Sequence, residues 1–281
     1  SSNGQKDFGK PTGELVFCRI DWNGDFTAKN LVLAYVYKMI ALPMHESKEI
    51  YVNANSGEIM IEIPLVLTCN DNTGNTSWYG SRGFKAEWFG WPNNAWFLES
   101  DCVTRPLIRS RRGDPIIPYN YGNATTNWVD ADGTNGYNQR AGVTTYWGLN
   151  TAFDYYYFIH NRMSYNGING TLDAYSEITG GLWLSTSENA SWNSVTHHMS
   201  FGAGGTNSPL DDWNSLNVVG HEMTHGVVQF TAGLNYSYES GALNESFADI
   251  FGEMIQIHGT GDSTDWLHEG SGMNASRSFS N

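Results

Sequence analysis

One stretch, NVVGHEMTHGVVQF from Asn217 to Phe230, limits what this chain can become more than any other part of it. It holds two histidines four apart, with a glutamate directly after the first. Residues four apart share one face of a helix. His221 and His225 can therefore hold one ion, with Glu222 beside it. Ser215 or Asn217 is placed to cap that helix ahead of Val218 and Val219. A catalytic zinc takes three protein ligands and leaves a fourth position for water. Two histidines are one ligand short, and two histidines that merely share a helix would satisfy the same spacing.

A second helix is expected over SGALNESFADIFGEMIQIHG. Leu243, Phe247, Ile250, Phe251, Met254 and Ile255 fall on one apolar face, and Gly259 suits its C-terminal stop. Glu245 and Asp249 are four apart and lie toward the other face. Glu245 could serve as the third metal ligand. Asp249 could accept the remaining ring N–H of a ligand histidine and so fix its tautomer, and the side-chain carbonyl of Asn244 could do the same. For Glu245 and Asp249 considered alone, two acidic residues on the solvated side of an amphipathic helix is the plainer reading.

Composition excludes several classes. With 15 Lys and Arg against 29 Asp and Glu, the net charge is −14. No basic stripe is available to replace counterions on phosphates, which argues against nucleic acid. The most apolar run, NLVLAYVYKMIALPM, is interrupted by Lys38 and Pro43 and alternates as a strand does, so no membrane span is expected. The chain opens on a polar SSNGQKDFGK with no signal peptide. Cys18, Cys69 and Cys102 leave at least one thiol unpaired, so their number alone does not assign a redox compartment.

The texture changes along the chain. Residues 14 to 66 read as strands broken by the turn-like DWNGD and NANSGE. From Thr68 to about Gly142 the chain is rich in Gly, Asn, Trp and Pro, and its topology is not readable. Helical periodicity begins at GVTTYWGLNTAFDYYYFIHNRM, where Val143, Tyr146, Leu149, Phe153, Tyr156 and Ile159 recur at three- and four-residue steps. A strand-like GGLWLST and a Gly- and Asn-rich loop then lead to the histidine helix.

The run VVGHEMTHGVVQFTAGLNYSYESGALNESFADIFGEMI closely resembles the thermolysin-like neutral metallopeptidases of the gluzincin group, without a gap. AGVTTYWGLNTAFDYYYFIHNRMSYNG resembles that family's long first-lobe helix. ENASW resembles its substrate-binding edge strand, and SRSFSN a stretch early in its second lobe. The resemblance implies zinc held by His221, His225 and Glu245, with Asp249 and Asn244 behind them. It makes Glu222 the general base and Tyr236 a hydroxyl donor to the developing oxyanion. Asn189, the backbone of Ala190, Val218 and Arg277 would bind substrate.

NLVLAYVYKM and KEIYVNANSGEIM resemble the PepSY module that ends the prosegment of such proteases. The expected fold class is therefore α+β. Residues 1–67 would be a β-rich prosegment module, and 68–215 the mixed β/α first catalytic lobe. Residues 216–281 would carry the zinc-binding helices and the start of a second, helical lobe that is largely absent, along with a histidine that neither His258 nor His268 replaces. The implied function is a secreted zinc endopeptidase acting on peptides or proteins, present as a precursor fragment with its own prosegment as a partner. A non-catalytic binding protein is the alternative. An aminopeptidase would carry a G-x-M-E-N strand, and none occurs. The family's paired-calcium site is expected to be lost, because Asn217, Gln256, Asp265 and Leu267 stand at its positions. Asp130 and Asp132 leave room for a single calcium. Sequons at Asn189, Asn235 and Asn244 lie beside the expected cleft and should be unmodified. A Cys69–Cys102 disulfide, with Cys18 packed as a thiol, is also expected.

Overall fold

Alternation in LVLAYVYKM produces a nine-residue strand rather than a helix. The structure is a computed structural model. It describes residues 13–19, 31–39, 48–64, 70–89, 95–100, 105–113, 115–116, 118–128, 139–180, 184, 186–205, 212–264, 267–269 and 275–278. The chain divides into two units, Ser1–Thr68 and Cys69–Asn281.

In the first unit, β1 (Glu14–Arg19), β2 (Leu31–Met39), β3 (Lys48–Asn53) and β4 (Ile59–Pro64) form an antiparallel meander in that order. The β3–β4 turn falls at NANSGE, where the Asn53 side chain accepts the N–H groups of Asn55 and Ser56. Gly57 there adopts φ 75°, a conformation that costs glycine little. Register sets Leu15 opposite Tyr35, and Leu15, Phe17, Leu31 and Tyr35 are all exposed.

The second unit begins with strands that pair both with chain neighbours and with distant segments. β5 (Asn70–Asn75), β6 (Ser81–Phe89), β7 (Ala95–Phe97), β11 (Gly122–Asn123) and β12 (Asn127–Trp128) make a sheet of order β11-β7-β6-β5-β12. A second sheet runs β10-β9-β13-β15-β14, from β9 (Ile108–Arg112), β10 (Tyr119–Asn120), β13 (Leu172–Ile178), β14 (Ala190–Asn193) and β15 (His198–Gly202), with β8 (Glu99–Ser100) also on β9. β9, β13 and β15 are parallel neighbours, whereas β14 is antiparallel to β15 and forms the sheet's edge. GGLWLST falls largely outside the described residues.

Among the described residues the unit also has α1 (Gln139–His160), α2 (Leu216–Gln229) and α3 (Tyr238–Thr260). Val143, Tyr146, Leu149, Phe153 and Tyr156 of α1 are buried in the main core, although Ile159 of the same series is exposed. Ser215 stands at the N-cap of α2 without a side-chain cap bond. Its Oγ instead donates to Asn217 Oδ1, which also accepts the Val218 N–H. The stop of α3 is Gly261 in the left-handed region, not Gly259. Gly259 lies inside the helix, where an added Cβ would come 2.6 Å from Leu216 and 2.7 Å from Thr151.

The expected apolar face of α3 holds in its C-terminal half, where Ile255 is buried in the core and Phe251 and Met254 pack against it, and fails in its N-terminal half. Its buried residues are Gly241, Asn244, Ala248, Asp249, Gly252, Glu253, Ile255 and Gln256, while Leu243, Phe247 and Ile250 are 46%, 37% and 44% exposed. Small residues let α2 and α3 approach closely. A Cβ on Gly252 would meet the Asn217 carbonyl at 2.5 Å, and one on Gly220 would meet Ile255 at 2.9 Å. β16 (Leu267–Glu269) and β17 (Ala275–Ser278) pair as a hairpin. Cys69, Cys102, Asp130, Asp132 and Asp265 lie outside the described residues, as does the side chain of Cys18. Among the described residues no helix is long and apolar enough to cross a membrane.

Candidate metal centre and active site

The close α2–α3 crossing brings Glu245 against the histidine pair. His221 Nε2 lies 3.3 Å from Glu245 Oε2, and His225 Nε2 lies 3.6 Å from Glu245 Oε1. The imidazole rings stand at 86° with centroids 4.6 Å apart. Ligands at ordinary zinc distances around a tetrahedral ion stand about 3.3–3.4 Å from one another. Two imidazoles and a carboxylate at this spacing therefore fit a zinc ion with a coordination position left open. Among the described residues His221, His225 and Glu245 are the one such group of potential metal ligands.

Both rings are oriented from behind. Asp249 Oδ1 lies 2.9 Å from His221 Nδ1, and Asn244 Oδ1 lies 2.8 Å from His225 Nδ1. With a metal bound, an Nδ1–H directed at each of these oxygens would leave the Nε2 lone pairs on the side of Glu245. Burial pulls the pKa of His221 down, but hydrogen bonds to Asp249 and Glu245 outweigh it and hold the pKa up at about 9. The hydrogen bond from His221 is the largest influence on Glu245, whose pKa is lowered to about 2.

Glu222 is buried beside the pair. Burial raises its pKa, and the two histidines and the Trp192 backbone act against that rise. A carboxylate with a raised pKa in a cleft has the character of a proton acceptor tuned toward neutrality. The cleft has a volume of about 920 Å³ and is bounded by β14, α2 and the 233–236 loop. Asn189, Ala190, Val218 and Tyr236 all line it. Tyr236 is 69% exposed at its rim and donates its hydroxyl to Glu245 Oε1. Arg277 belongs to β17, and its side chain falls outside the described residues. Trp192, the last residue of ENASW, also lines the cleft, as do Trp213, Ser194 and Gln229, which sequence reasoning did not single out.

β14 presents an open backbone edge to the cleft. The Asn189 carbonyl accepts Gly202 N–H, so residue 189 points toward β15. By the two-residue period of a strand, the N–H and C=O groups of Ala190 and Trp192 point the other way. The Trp192 N–H bonds to Glu222.

Asn217 and Gln256 are engaged within the protein. Asn217 Nδ2 donates to Glu253 Oε1, and Gln256 Oε1 accepts from Tyr79 Oη and from the Asn217 N–H.

A histidine pair on one helix, a glutamate from the next and a buried carboxylate at an open strand edge form a site of the kind a metallopeptidase would use. Two family models agree with that class. The thermolysin metallopeptidase catalytic domain matches residues 108–229, and the thermolysin metallopeptidase alpha-helical domain matches residues 232–277. The chain belongs to the thermolysin metallopeptidase family.

Relatives include a bacillolysin of Brevibacillus brevis, 39% identical over 58% of this chain and 29% of that protein. The thermostable neutral protease NprT of Geobacillus stearothermophilus is 35% identical over 54% of this chain and 27% of its own length. The chain thus spans under a third of these relatives. A solved precursor of protealysin, a metalloproteinase from Serratia proteamaculans, aligns with a TM-score of 0.42 and 23% identity over 56% of this chain and 47% of that one.

Proposed function

We propose that this chain is part of a secreted zinc endopeptidase, and that residues 1–67 are a prosegment module. His221, His225 and Glu245 would hold the metal. Bound zinc would supply Lewis acidity to a peptide carbonyl and acidify water. Glu222 would take the proton of the attacking water and hand it to the leaving amine. Tyr236 would turn its hydroxyl from Glu245 toward the developing oxyanion. Asn189 and the outward backbone of Ala190 would align an extended peptide, with Val218 beside it and Arg277 on a substrate carbonyl. The remainder of the helical lobe would cover the apolar face of α3.

The observation that carries this reading is the pairing of both Nδ1 atoms with oxygen, which leaves two Nε2 atoms and Glu245 at ligand spacing. The test combines zinc content with cleavage of end-blocked against free-amine peptides by the longest gene product containing these residues. One zinc per chain with cleavage of blocked peptides is expected. Cleavage of free-amine peptides alone would indicate an aminopeptidase, and full zinc without cleavage a binding protein.

A further inference from the structure

Gln229 is the last residue of α2, one turn beyond His225, and both halves of its amide are spent on the edge strand and the turn that follows it. Its Oε1 accepts Trp192 Nε1–H at 2.8 Å, and its Nε2 donates to the Ser194 carbonyl at 2.9 Å. The indole it grips lies directly on the helix backbone. A Cβ on Gly226 would come 2.9 Å from Trp192 Cη2 and Cζ2. Tyr165 meets the indole edge-on at 5.0 Å, and His197 stacks on it at 23°. The same residue's backbone N–H bonds to the buried Glu222 carboxylate. Trp192 is therefore fastened to one helix twice, by its side chain at Gln229 and by its backbone at Glu222.

We propose that Gln229 is a positioning residue: by locking the Trp192 indole it fixes the open edge of β14 and the orientation of Glu222. In kinetic terms this rests on the peptidase reading, since Glu222 is taken as the group that moves the proton. A side chain that cannot hold the indole would let β14 shift along α2. Glu222 would lose its backbone donor, and the outward groups of Ala190 would lose their register to a bound peptide. Gln229→Leu removes both bonds and the 3.4 Å contact of the amide Nε2 with His197 Nε2. Gln229→Glu keeps the acceptor for the indole and loses the donor to Ser194. Trp192→Phe keeps a ring over Gly226 and removes the N–H.

The experiment uses the zinc-loaded, longest gene product and follows residue-resolved amide hydrogen exchange together with steady-state kinetics. Two lost hydrogen bonds predict about tenfold faster exchange at the Trp192 amide in Gln229→Leu, and about tenfold lower kcat. Zinc stoichiometry and the interior amides of α2 should stay as in the parent. Gln229→Glu should fall between, and Gln229→Leu combined with Trp192→Phe should be no worse than either alone. Unchanged exchange at Trp192 in Gln229→Leu would overturn the proposal, and so would loss of protection spread evenly through α2. If Gln229→Leu does not fold, Gln229→Glu and Trp192→Phe carry the same comparison. A parent protein with full zinc and no turnover would refute the peptidase reading alone, and exchange would still decide the clamp.

Discussion

Replacing Asn244 with leucine would set an apolar side chain against the Nδ1–H of His225, leaving a buried donor without its acceptor. The ring would then be free to turn its Nε2 away from Glu245. Loss of such an outer partner lowers metal affinity by about 10–100-fold, and competition against a chromophoric chelator should show that loss for Asn244→Leu. The His221–Asp249–Glu245 group makes a prediction about pH. The folded pKa of His221 is raised from 6.5 to about 9, so its stabilising effect is complete below pH 6.5 and lost as pH climbs through about 9. Glu245 is lowered from 4.5 to about 2, so its effect is present above pH 4.5 and lost as pH falls through 2. Chelator-treated protein should therefore melt at progressively lower temperature from pH 6.5 to 9, and His221→Gln should lack that slope. Four-residue spacing made the histidine pair legible in the sequence, because a helix turns four apart into side by side. Glu245 was legible only through the flanking resemblance, since one acidic residue on a helix commits to nothing by itself.

Among the elements, α3 shows where periodicity misleads. Apolar residues at helical spacing ordinarily mark the core side, and Phe251, Met254 and Ile255 do so, yet Leu243, Phe247 and Ile250 are exposed and the inward face of the first turns is small and polar. The reason lies in what α3 must place inward: a glutamate, an aspartate and an asparagine at the histidines, with glycine where the helices cross. Gly252→Ala would drive a methyl into the Asn217 carbonyl. Overpacking of this kind costs about 1–3 kcal/mol, which a denaturant titration should register, together with weaker zinc binding as Glu245 backs away. Nor was the Trp192–Gln229 bond legible, because it joins residues 37 apart with no periodic relation. The sheets of residues 70–128 were hidden for a similar reason. Two-residue strands such as Tyr119–Asn120 and Gly122–Asn123 carry no alternation and exist only through their pairing with Arg111–Arg112 and Trp96–Phe97.

For the whole molecule, the chain covers 27% of NprT and 29% of the Brevibacillus bacillolysin, and only residues 232–277 match the helical domain. On the proposed reading the three metal ligands would be in place, whereas catalysis would also draw on more of the helical domain than residues 232–277. Loss of one oxyanion donor costs about 10²–10³ in rate, and loss of the surface that orients substrate adds to it. Zinc-loaded residues 1–281 should therefore bind metal yet fail to cleave a blocked peptide that a longer product cleaves. Comparable turnover by the two would show the rest of the lobe to be dispensable.

The open edge of β14 has a consequence for how tightly anything can be held there. Strand edges invite further strands, and proteins commonly limit the hazard by keeping them short. β14 has four residues, its neighbour β15 occupies alternate ones, and Glu222 already takes the Trp192 N–H. What remains for an incoming chain is the N–H and C=O of Ala190 and the C=O of Trp192. Each such bond is worth about 0.5–1.5 kcal/mol net, too little for a second copy to stack stably or for a product to linger. Any selectivity must then come from side chains meeting the cleft walls, and the backbone contact serves as a brief, sequence-blind guide rail.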